Sequence, residues 1–94
     1  MRLLTEVCSR ATRRFSRDQE AEVVRLEPLV PAALLPDFTA FAGAFAGVVN
    51  ARQEERDVVA SGAPRRVVRD VAKQERAARE QLRANARRLG FDCG

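Results

Sequence analysis

The chain has no histidine, tryptophan or tyrosine, and isoleucine is missing as well. Without histidine it lacks the commonest catalytic base and metal ligand near neutral pH. Without tyrosine and tryptophan, only its five phenylalanines could stack against nucleic-acid bases. Cysteine is nearly absent too: Cys8 and Cys93 lie near opposite ends, outside any CxxC pair. Neither a zinc site nor thiol catalysis is expected from them, and no cofactor is implied. No phosphate loop, dinucleotide fingerprint or nucleophile motif occurs. Glu54, Glu55 and Asp57 cluster with Arg52 and Arg56, but they are spread around one helix with no nucleophile beside them. A non-enzymatic protein is expected.

Lysine occurs once, at Lys73, beside sixteen arginines and sixteen alanines. That skew is what a GC-rich gene produces, so basicity as such says little about guanidinium chemistry. Its distribution says more. Residues 1–17 carry +4, residues 18–62 carry −5 and residues 63–94 carry +5, so two basic ends flank an acidic middle. At 94 residues the chain is a single small domain (1–94) with enough Leu, Val and Phe to fold but little core to spare.

Apolar spacing predicts helices and nothing else. Leu4, Cys8, Ala11 and Phe15 recur at three or four residues, and Val23 and Leu26 continue the stripe, which predicts a helix over about 2–26. Ser16 with Gln19 three residues on is a capping-box pair that could instead begin a second helix there. Glu27-Pro28-Leu29-Val30-Pro31 ends the segment, with one turn over Ala32 to Leu35. A second helix is expected over about 37–60, capped by Asp37, and a third over about 64–89 after Ser61-Gly62-Ala63-Pro64. Leu89-Gly90-Phe91 reads as a C-terminal cap, with Gly90 left-handed and Phe91 folding back. No run alternates with period two. The fold class is all-α: a three-helix bundle, or a helical hairpin with an extra N-terminal helix, completed by oligomerisation. In an up-down-up arrangement Cys8 and Cys93 fall at opposite ends. The expectation is therefore two free thiols, suited to an intracellular reducing compartment.

The second helix is apolar all round from Phe38 to Val49. Its large side chains Phe38, Phe41, Phe45, Val48 and Val49 share one face, and Ala40, Gly43, Ala44, Gly47 and Ala51 make a smooth strip opposite. The apolar run spans about 20 Å, short of a bilayer core, and Pro31, Pro36 and Asp37 block its extension, so a transmembrane span is not expected. A helix with bulk on one side and a strip on the other takes two partners. The expected interface residues are Phe38, Phe41, Gly43, Phe45 and Gly47, with Val71, Leu82 and Leu89 as the seam of the third helix, against a protein partner or a second copy. Glu75 and Asn85 interrupt that seam; an interhelical pair from Glu75 to Arg52 or Arg56 would satisfy the acid. The opposite face carries Arg65, Arg69, Lys73, Arg76, Arg83 and Arg87, candidate anion-binding residues for nucleic acid or an anionic membrane surface.

The first fifteen residues, MRLLTEVCSRATRRF, hold four arginines and one acid on an amphipathic pattern and resemble a mitochondrial presequence. Arg13-Arg14-Phe15-Ser16 resembles the cleavage pattern of the matrix processing peptidase. The resemblance implies a mitochondrial location and says nothing of activity; a small mitochondrial assembly factor or subunit is the rival expectation that goes with it. If the segment packs, Leu4, Cys8, Ala11 and Phe15 are core instead.

Overall fold

Helical periodicity is realised in four helices, and no strand occurs among the described residues. The computed structural model describes residues 2–11 and 15–93. Helix α1 spans Arg2–Ala11 and α2 Arg17–Arg25. Short 3₁₀ turns follow at Glu27–Leu29 and Ala32–Leu34; the long helices α3 and α4 cover Leu35–Ala60 and Arg65–Arg88.

A continuous helix over 2–26 does not form. Ser16 takes an extended conformation, its hydroxyl accepts from the Gln19 N–H at 3.3 Å, and the Ser16 N–H donates to Gln19 Oε1 at 2.9 Å. Those reciprocal bonds satisfy donors that a helix start leaves open, so the capping box starts a new helix at residue 17. Asp37 is not the cap expected of it. Pro36 fits the first turn of a helix, where its missing N–H costs nothing, so α3 begins at Leu35 and Asp37 sits inside that turn.

Two glycine-terminated ends shape the rest. Gly62 and Gly90 have φ of 71° and 88°, and the N–H groups one residue further on bond back to the Val58 and Ala86 carbonyls. These are Schellman ends, available to glycine because it has no Cβ to clash. The first lets α4 return antiparallel along α3; the second folds Phe91 back, edge-on to the Phe41 ring with centroids 5.4 Å apart.

The core forms where α1, α2 and the segment after α4 meet the phenylalanine face of α3. Leu4, Val7, Cys8, Phe15, Val23, Phe38, Phe41, Phe45, Val48, Val49, Leu82, Ala86, Leu89 and Cys93 are buried in one cluster. The side chains of residues 4, 8 and 15 are therefore core, whereas Ala11's side chain and Arg13 and Arg14 lie outside the described residues.

Cys8 and Cys93 are bonded to each other, their Cα atoms 5.0 Å apart, and no free thiol remains. The expectation of two separated thiols is overturned. It rested on an up-down-up arrangement of three helices. α1 and α2 instead pack on each other as separate helices and Gly90 reverses the chain after α4, so that Cys8 and Cys93 come to the same place.

Candidate functional site

The open side of α3 is the feature the fold leaves unfinished. Between Phe38 and Val49 its large side chains turn inward, so what remains outward there is small: Ala40 and Gly43 are exposed, and Ala44 and Gly47 are partly so. A methyl placed on Gly43 or Gly47 would meet no atom within 4 Å. Beside this strip runs α4, and between the two helices lies a groove of about 480 Å³ lined by Ala40, Gly43, Ala44 and Gly47 from α3 and Ala78, Gln81, Asn85 and Arg88 from α4. The antiparallel hairpin puts Arg88 and Asn85 at the Ala40–Gly43 end and Ala78 at the Gly47 end.

Asn85 is the one polar residue buried among the described residues, at 4% exposure. Its Nδ2 donates to the Gln81 carbonyl at 3.0 Å, and Oδ1 receives no hydrogen bond from the described residues. An amide so placed on a groove floor retains an acceptor for whatever occupies the groove. Glu75, the other polar residue of the seam, pairs with Arg79 one turn on: Nε lies 2.8 Å from Oε1, in ion-pair contact without hydrogen-bond alignment. Arg79 and Arg52 also lie over the Phe15 ring, 5.3 and 5.8 Å from its centroid. The cations thereby close the solvent side of the core where Phe15, at φ 44°, packs its ring at a tilt against Phe45, centroids 5.5 Å apart.

The expected interface residues divide. Phe38, Phe41, Phe45, Val71, Leu82 and Leu89 are buried within the chain itself. Gly43 and Gly47 remain on the groove, and α4 completes it with Ala78 and Asn85 from its seam and the exposed Gln81 and Arg88 from its flank. Arg88 was legible only as one more arginine, because nothing in the spacing of α4 says which flank α3 leaves open. Arg65, Arg69, Lys73, Arg76 and Arg87 lie exposed along the outer face of α4, while Arg83 is half-buried. No group of three or more metal-ligating side chains comes together among the described residues. The stretch Ala32–Ala60 is long and apolar enough to cross a membrane by length and composition, with a mean hydropathy of 1.6 in its most apolar window. Its largest side chains lie in the core.

No protein-family model matches the chain, and neither curated proteins nor solved structures give a match.

Proposed function

We propose that this protein is a non-enzymatic helical interaction module, which docks a helix of a partner chain into the groove between α3 and α4. The observation that carries this reading is the open small-residue face of α3. Glycine within a helix costs roughly 0.5–1 kcal/mol relative to alanine, and nothing inside the chain needs the space that Gly43 and Gly47 leave. Close approach of another backbone makes use of it. A photo-crosslinking residue placed at Gly47 in the full-length protein, expressed in its own cells, tests the reading. The expected result is an adduct whose cross-linked peptide is a helix with small residues on its contact face, and none from the same probe at Arg69. Absence of any protein adduct at position 47 would sink it.

The exposed arginine row of α4 favours a second reading, non-specific contact with nucleic acid or an anionic membrane surface. Its signature is retention on a phosphate polymer that modest salt abolishes.

A further inference from the structure

We infer that the occupant of the α3–α4 groove is a second copy of this chain, with the two α3 helices antiparallel and crossing at Gly47. This deepens the docking reading above and rests on it.

The strip is self-complementary about that point. Gly43 and Ala51 lie four residues either side of Gly47, and Ala40 and Glu54 lie seven either side, all on the outward face of a helix turning 100° per residue. A two-fold axis through Gly47 therefore sets glycine on glycine at the crossing, Gly43 on the partner's Ala51 and Ala40 on the partner's Glu54. Small residues meet where the backbones are closest. At the ends the match is one of charge: Arg88 flanks Ala40 on the groove wall, so the partner's Glu54 arrives beside it, and the axis repeats the contact at the other end.

Both groups are exposed, and neither has an ion-pair partner among the described residues. Each is left open in one copy and finds its complement in the other. The buried Asn85 on the groove floor adds register, since a single polar position in an apolar seam penalises every alignment that leaves it unpaired.

The experiment is sedimentation of the purified full chain across the micromolar range. A dimer is expected. Gly47→Leu should make it monomeric with unchanged helical circular dichroism, because a Cβ at Gly47 meets no atom within 4 Å and points into the open groove of the monomer. Arg88→Glu and Glu54→Arg should each weaken dimerisation by about tenfold, while the two together should restore it, an outcome that a fold defect cannot produce. A monomer at every concentration overturns the inference, as does a dimer indifferent to Gly47→Leu or not rescued by the charge exchange. If the chain is monomeric while the Gly47 cross-linker captures a helix of another protein, the second copy is excluded and the docking reading stands. If the cross-linker captures nothing, both fall.

Discussion

Glycines at four places in this chain do two different jobs. Gly90 and Gly62 have positive φ and terminate helices; Gly43 and Gly47 are helical and leave a groove bare. Substitution by alanine should therefore have opposite signs at the two kinds of site. Gly90→Ala should destabilise the protein by about 1–2 kcal/mol, the cost of a Cβ in the left-handed region. Gly43→Ala should stabilise it by about 0.5–1 kcal/mol, since its methyl meets nothing and the unfolded chain loses freedom. Urea titrations of the two variants at a concentration where wild type is monomeric give both signs; destabilisation by Gly43→Ala would mean that the groove is closed within the chain. Phe15 is the reverse case, a bulky residue held at φ 44° by Phe45 beneath it and two guanidinium groups above.

At the scale of elements, short-range chemistry decides where helices start and stop, and hydrophobic spacing decides only which residues face inward. Of the stripe that runs from Leu4 to Leu26 at helical spacing, Leu4, Cys8, Phe15 and Val23 are buried and Leu26 packs against them, yet the helix does not run through it, because Ser16 and Gln19 bond to each other's backbone. Ser16→Ala should cost about 1 kcal/mol and leave the rest of the fold intact. Amide hydrogen exchange would locate that loss, with protection falling over Arg17–Arg25 while α3 and α4 stay protected. Uniform loss of protection would show that α2 has no local stability of its own to lose. Both Schellman ends were legible from Gly62 and Gly90, and the 3₁₀ turn before Pro36 from its prolines. The start of α3 was not, because an aspartate near a helix start serves equally as cap or as first-turn charge.

For the whole molecule, the Cys8–Cys93 bond ties the first helix to the segment beyond the last, a sequence separation of 85. Closing a loop of that length removes unfolded-state entropy worth about 4–5 kcal/mol on the chain-entropy account, a large share of what a domain this small can hold. Reduction by a phosphine, or Cys8→Ala, should lower the unfolding free energy by about 2–4 kcal/mol. Paired urea titrations with and without reductant measure it, and a shift below about 0.5 kcal/mol would mean that the buried cluster around Leu4, Phe41 and Leu82 holds the ends together unaided.

The amino-acid sequence alone determined that this chain is helical, where its glycine-marked helices end, and that Phe38, Phe41, Phe45, Val48 and Val49 share a face with the small residues opposite. Each of those follows from neighbours within a few residues, where the 3.6-residue repeat and local backbone hydrogen bonds operate. The meeting of Cys8 with Cys93, the burial of Leu82 and Leu89 within the chain, and the choice of Asn85 and Arg88 as the wall of the open groove were decided only by the tertiary structure. They depend on the directions in which four rods leave their turns, and a small change of direction at each turn moves a distant residue by many ångströms. Spacing along the chain carries no record of that sum.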